Sequence, residues 1–180
     1  MADPIEIHDW SPQWAAAFEA RGATLRSALG DTAIRIDHIG STSIHGLAAK
    51  SIIDIQISVA DFEPFAAIEG PMTRAGYVWR ADNPELTKRY FREAAGARTH
   101  VHVRRAGSWH EQWALLFRDY MRAHPGEHPL YEDLKRRLAI WFVDDRTGYT
   151  EGKTDFFWEV IRRADQWASD IGWRPGPTDA

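Results

Sequence analysis

Hydrophobic and polar residues alternate most regularly between residues 52 and 59. The odd-numbered positions of this stretch are all aliphatic, whereas the even-numbered ones include Asp54 and Gln56. Successive side chains of a strand point to opposite faces, so this period of two predicts a strand with one apolar face and with Asp54 on the other. A shorter alternation predicts a strand over 34–39, with one face formed by Ile34, Ile36 and His38.

Helical spacing dominates the start and the second half of the chain. Ser11, Pro12 and Gly30 are typical start and stop signals for a helix over 12–29. Ser108 and Glu111 have the spacing of a capping box at the start of another helix. The other predicted elements are a helix over 61–75, a strand over 77–80, a hairpin of strands over 88–93 and 98–105, and helices over 130–143 and 150–167. This order predicts an α+β fold with a small mixed sheet, flanking helices and a C-terminal helical half.

Length and composition limit the protein to an ordinary globular class. The 180 residues are 44% hydrophobic and 27% charged, with 13 Gly and 9 Pro, which excludes collagen-like and largely disordered chains. We expect a single domain over residues 1–170 and a flexible Gly/Pro tail over 171–180. The net charge of −4 argues against bulk binding of nucleic acid.

The chain contains no cysteine. This absence excludes a disulfide framework, a thiol nucleophile and a Cys–zinc site, and it favours the cytoplasm. The first ten residues lack the basic and apolar segments of a signal peptide. No apolar run approaches the roughly 18 residues that a membrane-spanning helix needs, so we expect no membrane association.

The stretch with the most specific chemistry is HIGSTSIHGLAAKSIIDI, residues 38–55. Gly40 would let the backbone approach a ligand closely, and the amides and hydroxyls of Ser41, Thr42 and Ser43 are suited to a phosphate. Lys50 adds a mobile positive charge. Asp54 on the following strand could hold Mg²⁺ beside the phosphate.

This stretch resembles the signature of the GrpB family, which belongs to the nucleotidyltransferase-fold superfamily. His45 and Ser51 stand where the family commonly has proline. The resemblance continues over nearly the whole chain, through RTHVHV at 98–103, FRDY at 117–120 and Tyr149…Lys153. It implies a nucleotidyltransferase-like fold that binds a nucleoside triphosphate with a divalent metal ion, Mg²⁺ or Mn²⁺, and transfers a nucleotidyl group to a small-molecule acceptor.

One position departs from active nucleotidyltransferases. Those enzymes use two or three carboxylates, and here Gln56 stands at the second position. One interpretation is that Asp54 alone anchors a Mg²⁺ ion that arrives with the nucleotide. Another is that Asp54 forms a softer site for Mn²⁺ or Zn²⁺ with His38 and with either His100 or His102. The histidines could instead contact phosphate, or His102 could act as a general base.

Basic residues complete the predicted nucleotide site. Arg104 shares a strand face with His100 and His102, and a guanidinium can pair with phosphate at two points. Lys153 could fold back over the nucleotide, and Lys50, Arg104 or Lys153 would balance its charge. Three hypotheses remain open at this point: a nucleotidyltransferase, a nucleotide-binding module that has lost catalysis, and a His/Asp metal-dependent protein on the same scaffold.

Overall fold

The computed structural model describes residues 5–94, 96 and 98–180. The helices are α1 (Gln13–Leu29), α2 (Ala66–Arg74), α3 (Trp109–Ala123), α4 (His128–Trp141), α5 (Arg146–Glu151) and α6 (Thr154–Ile171). The strands are β1 (Arg35–Ile39), β2 (Ile53–Val59), β3 (Tyr77–Trp79), β4 (Lys88–Glu93) and β5 (Thr99–Arg105). The predicted α+β architecture, with a mixed sheet and a helical C-terminal half, is confirmed.

The five strands form one sheet in the order β1-β2-β5-β4-β3. β2 and β5 are parallel at its centre, and the remaining pairs are antiparallel. The predicted hairpin is therefore β4 and β5, although Ala95 and Ala97 of its turn lie outside the described residues. α2 is shorter than predicted, and the predicted helix over 150–167 is two helices, α5 and α6.

One face of the sheet carries the main hydrophobic core. The odd-numbered residues of β2 pack there with Phe18, Leu25 and Leu29 of α1 and with Met72 of α2. These side chains are at most 5% exposed. At roughly 25 cal/mol per Å² of buried apolar surface, such a layer is the main source of stability, and it fixes the orientation of β2.

The opposite face of the sheet is polar and is covered in part by α3. Gln56 Nε2 donates to the Glu111 carbonyl over 3.2 Å, and the Ser58 hydroxyl donates to Glu111 Oε1 over 2.6 Å. Glu111 also accepts from the Gly107 amide, but Ser108 makes no capping hydrogen bond within the described chain. The predicted capping box is therefore wrong, because the Glu111 carboxylate joins α3 to β2 instead.

The last residues do not form the loose tail that the sequence predicted. The Ala180 amide donates to the Ile36 carbonyl over 3.0 Å, along the free edge of β1. Asp179 Oδ2 accepts from the His38 amide and from the buried Arg118, at 2.9 and 2.8 Å. The Gly/Pro-rich composition of this segment did not predict these contacts. They form because the edge strand β1 has backbone groups that no neighbouring strand pairs.

The helical half has a second core of its own. It joins α3, α4 and α6 through aromatic contacts such as Tyr131 on Phe156, whose ring centroids are 4.5 Å apart. Within the described part of the chain, none of the helices combines the length and hydrophobicity that crossing a lipid bilayer requires. The space between this helical half and the polar face of the sheet holds the candidate site.

Candidate functional site

Asp54 lies at the centre of the polar face, beside two histidines of β5. The parallel register pairs Asp54 with His100 and Gln56 with His102, so all four side chains share one face. Asp54 Oδ1 is 3.4 Å from His100 Nδ1 and 3.4 Å from His102 Nε2. The predicted association of Asp54 with the His-x-His pair is therefore present in the geometry.

Hydrogen-bond partners define the tautomer of His100. Arg92 Nη2 lies 3.1 Å from His100 Nε2. A guanidinium can only donate, so Nε2 accepts and the ring proton is on Nδ1, which faces Asp54. A continuous path of polar contacts thus runs from Arg92 through His100 to the Asp54 carboxylate.

The electrostatics keep Asp54 charged. Burial raises the pKa of the Asp54 carboxyl. Hydrogen bonds from His100 and His102 lower this pKa by more than burial raises it, so the net pKa lies well below its usual range. Burial lowers the pKa of His102, with the charge of Asp54 opposing this effect. At neutral pH, therefore, His102 is an uncharged base beside a carboxylate.

Gly40 allows the chain to pass against Asp54. Its φ of 69° and ψ of −177° belong to a region that is essentially restricted to glycine. A Cβ atom at this position would lie 2.7 Å from Asp54 Oδ2 and 3.1 Å from the Asp54 Cβ. The predicted close approach at Gly40 is thus to the Asp54 side chain.

The three hydroxyls after Gly40 have different roles. Thr42 Oγ1 donates to the Ile52 carbonyl over 3.0 Å, and Ser43 Oγ donates to the Gly40 carbonyl over 2.6 Å. These two side chains hold the turn and are buried. Ser41, which is hydrogen-bonded to Tyr131, lines the open space beside Asp54.

Three lysines line a cavity of about 240 Å³ next to Asp54, which we call the lysine cavity. Lys50 and Lys153 each place Nζ 4.5 Å from the centre of the Tyr149 ring. The third, Lys135, donates to the Ala48 carbonyl and is only 2% exposed. Sequence reasoning chose Lys50 and Lys153 but missed Lys135, since a lysine on a helix normally faces solvent.

Burial makes the charged form of the three lysines less favourable. Burial lowers the pKa of Lys153 to about 8, with further repulsion from Lys50. Burial lowers the pKa of Lys135 to about 7, and burial also lowers the pKa of Lys50. A polyanion in this cavity would favour the charged form of all three.

On the other side of Asp54, a groove of about 540 Å³ runs between β5 and the helices α3 and α6; we call it the aromatic groove. Trp109 and Trp158 line it and are 63% and 56% exposed. Arg104 also lines this groove, where it donates to Glu85 over 2.8 Å. Arg104 thus lies apart from the lysine cavity, and a carboxylate already balances its charge.

His38 does not join the other histidines. The antiparallel register pairs His38 with Ile55, which places its side chain on the core face, opposite to Asp54. The ring stacks on Phe18 with centroids 4.8 Å apart, and Nε2 lies 3.0 Å from Thr42 Oγ1. Burial lowers the pKa of His38 to about 4, so a neutral ring supports the Thr42 turn. The structure thus corrects the expected metal-ligand role of His38.

The donor set fits only a metal ion that brings ligands with it. No group of three or more His, Asp or Glu side chains that could hold a metal is found in residues 5–94, 96 and 98–180. Gln56 is fully buried and bound to α3, which leaves Asp54 as the carboxylate that faces the cavity. One carboxylate with substrate phosphates is an arrangement that Mg²⁺ accepts.

Comparisons with known proteins agree with one another. The model of the GrpB protein family matches residues 4–163. The solved structure of a conserved GrpB protein from Enterococcus faecalis aligns with a TM-score of 0.81 and 30% identity, covering 90% of this chain and 99% of that one.

Curated relatives include UPF0157 protein SCO7215 of Streptomyces coelicolor, which is 35% identical over 89% of this chain and 84% of its own length. UPF0157 protein YqkA of Bacillus subtilis is 36% identical over 91% of this chain. A protein of Mycobacterium leprae named dephospho-CoA kinase is 31% identical over 95% of it. The chain spans about half the length of these last two relatives, 48% and 49%. On the family match and the solved structure, this chain is a member of the GrpB family.

Proposed function

We propose that this protein binds a nucleoside triphosphate beside Asp54 and transfers its nucleotidyl group to a small-molecule acceptor. The observation that carries the proposal is the convergence of Lys50, Lys135 and Lys153 on one cavity that ends at Asp54. Three lysines beside one carboxylate, with Lys135 buried and Lys50 and Lys153 half-buried, suit a ligand with several negative charges.

The family supports this direction. The GrpB signature resembles the glycine-serine turn and acidic strand of nucleotidyltransferases, and Gly40 and Asp54 here lie in direct proximity. The mycobacterial relatives that carry the name dephospho-CoA kinase are about twice as long as this chain. That name describes the longer relatives, and for this chain it is consistent with a phosphorylated ligand. The cytoplasm stays the predicted location.

The proposed reaction is a displacement at the α-phosphorus of the nucleotide. A hydroxyl, amine or phosphate oxygen of the acceptor forms a bond to that phosphorus, and the bond to the bridging oxygen of the β-phosphate breaks. Pyrophosphate leaves with the electron pair of the broken bond and remains near the lysines. His102, uncharged and facing the aromatic groove, can take the proton of a hydroxyl or amine acceptor.

A divalent metal ion, held by Asp54 and by the nucleotide phosphates, would supply positive charge at the reacting phosphorus. We propose Mg²⁺ or Mn²⁺, since oxygen ligands suit them, with Zn²⁺ as the alternative if the histidines also bind. The residues themselves orient the ligand: Ser41, Lys50 and Lys153 line the cavity beside Asp54, and both lysines lie against the Tyr149 ring.

A thermal-shift panel tests the proposal with four nucleoside triphosphates, each alone and with Mg²⁺, Mn²⁺ or Zn²⁺. Ligand at about 100 times its dissociation constant adds about 2.7 kcal/mol, or roughly 5–10 °C for a chain of this size. The shift should require metal, disappear in Asp54→Asn and Lys153→Gln, and persist in the exposed control Arg137→Gln. A shift with Zn²⁺ alone, and with no nucleotide, would favour the His/Asp metal hypothesis instead.

A second candidate is a nucleotide-binding module without turnover. The observation that favours it is Gln56, which donates to the Glu111 carbonyl and offers no charge to a second metal ion. Pyrophosphate release distinguishes the two candidates. Binding without release, across a panel of hydroxyl, amine and phosphate acceptors, would support the module.

A further inference from the structure

A second basic pocket lies against the lysine cavity. It has a volume of about 300 Å³, and we call it the arginine pocket. Its positively charged lining comes from several elements of the fold: Lys50 before β2, Arg80 after β3, Arg92 and Arg98 of the β4–β5 hairpin, and Arg146 of α5. A charge run along one solvated helix would not converge in this way, so the fold itself assembles the pocket.

The described lining of the arginine pocket contains more basic than acidic residues. Glu6 and Glu93 are the carboxylates of its described lining. Glu93 is paired with Arg21 outside the pocket, at 3.1 Å. Arg80 is paired with the exposed Asp82, also at 3.1 Å. Even with Asp82 counted beside Glu6 and Glu93, the five basic residues outnumber the carboxylates of this concave, polar space.

The arginine pocket is connected to the reacting centre. It shares Lys50 and His100 with the lysine cavity. Arg92 on its wall contacts His100, whose other ring nitrogen faces Asp54. A ligand in the arginine pocket therefore lies one histidine away from Asp54.

We propose that the arginine pocket binds a phosphomonoester group, and that this group belongs to the acceptor of the nucleotidyl transfer. A guanidinium is planar and pairs with two phosphate oxygens at once, so converging arginines favour a terminal phosphate over a single carboxylate. The site stands on its own geometry, whereas the assignment to the acceptor rests on the proposed function. The acceptor class is then a phosphorylated small molecule.

Calorimetric titration with phenyl phosphate and inorganic phosphate, at low salt, tests the site directly. Arg80→Gln and Arg146→Gln should each raise the dissociation constant of phenyl phosphate about tenfold. The matched control is Arg137→Gln, because Arg137 forms a similarly exposed ion pair with Asp133 at 3.1 Å. Absence of phenyl phosphate binding to the unmodified protein, or an equal loss in Arg137→Gln, would overturn the proposal.

Competition separates the acceptor phosphate from a phosphate of the nucleotide itself. With a nucleoside triphosphate and Mg²⁺ at saturation, phenyl phosphate should still bind with an affinity within about threefold of its original value. Full displacement would mean that both ligands use one site, and the proposal would be wrong.

The two proposals fail in different ways. Lys153→Gln should abolish triphosphate binding and leave phenyl phosphate binding in place, because Lys153 lines only the lysine cavity. If phenyl phosphate binds but no triphosphate does, the proposed function fails and the phosphomonoester site remains. If triphosphate binds but phenyl phosphate does not, the phosphomonoester site is wrong and the proposed nucleotide site remains.

Discussion

Replacing Gly40 with alanine tests the packing that holds Asp54 in place. The new Cβ atom would lie 2.7 Å from Asp54 Oδ2, well inside van der Waals contact. The backbone would also have to keep a φ of 69° with a side chain attached. Such strained conformations cost about 1–3 kcal/mol each. Rotating Asp54 away from its rotamer adds about 0.5–1.5 kcal/mol, so we expect Gly40→Ala to destabilise the fold by about 1.5–4.5 kcal/mol.

Gly46→Ala is the matched control for backbone strain. Gly46 also has a positive φ, 79°, but nothing lies within 4 Å of the Cβ atom that alanine would add. We therefore expect Gly46→Ala to lose only about 1–3 kcal/mol. Urea denaturation of the two variants and the unmodified protein gives the free energies of unfolding, and the difference between the variants reports the contact with Asp54.

The pKa of His102 reports the position of the Asp54 carboxylate independently of stability. The negative charge of Asp54 raises the pKa of His102 against the effect of burial. If alanine at position 40 pushes the carboxylate away, the pKa of His102 falls further, and an NMR titration of the ring protons follows it. Gly46→Ala should leave this titration unchanged. Equal stability of the two variants, together with an unmoved His102 titration, would refute the reasoning.

Three further predictions follow from the buried charges. The pKa of Lys153 is about 8 and a bound polyanion raises it, so nucleotide affinity should fall as pH rises from 7 to 9, measured by calorimetry. Lys153→Arg should weaken this dependence, and the part that remains comes from Lys135 and Lys50. The pKa of Lys135 is lowered to about 7, so its penalty to stability is fully present below pH 7 and is relieved towards pH 10; urea denaturation should show that Lys135→Met stabilises the fold more at pH 6 than at pH 9. Asp179→Ala removes an acceptor of the buried Arg118 and should lower the free energy of unfolding by about 1–3 kcal/mol, whereas Asp170→Ala on the exposed end of α6 should change it little.

The strand alternation made the centre of the site predictable from the sequence. The period of two over 52–59 gave Asp54 the face opposite to the core, and the His-x-His spacing gave His100 and His102 a common face. Both placements depend on local geometry alone, so no knowledge of the partner strands was needed. The structure has the same arrangement, with β2 and β5 as neighbours.

The remaining features depend on tertiary contacts that no local pattern encodes. His38 alternates correctly within β1, but only the antiparallel register with Ile55 shows that it lies across the sheet from Asp54. Lys135 has the spacing of a surface lysine on α4, and the Ala48 carbonyl and the Tyr131 ring bury it. The sequence spacing of Glu111 is that of a capping residue, but its carboxylate accepts a hydrogen bond from Ser58 of β2 instead. The contacts that decide these three placements are with Ile55, Ala48 and Ser58. Each of these residues is at least 17 positions away in the sequence from the residue that it contacts.

The lysine cavity itself argues for an anionic ligand on grounds of stability. Burial lowers the pKa of Lys50, Lys135 and Lys153, which means that the folded chain holds their charges against a free-energy penalty. A fold under selection for stability alone would replace such groups with apolar ones of similar size. A polyanion removes the penalty, and so its binding must raise these pKa values, take up protons and stabilise the fold together. An anion that binds here without proton uptake near pH 8 would show that the lysines are not its partners.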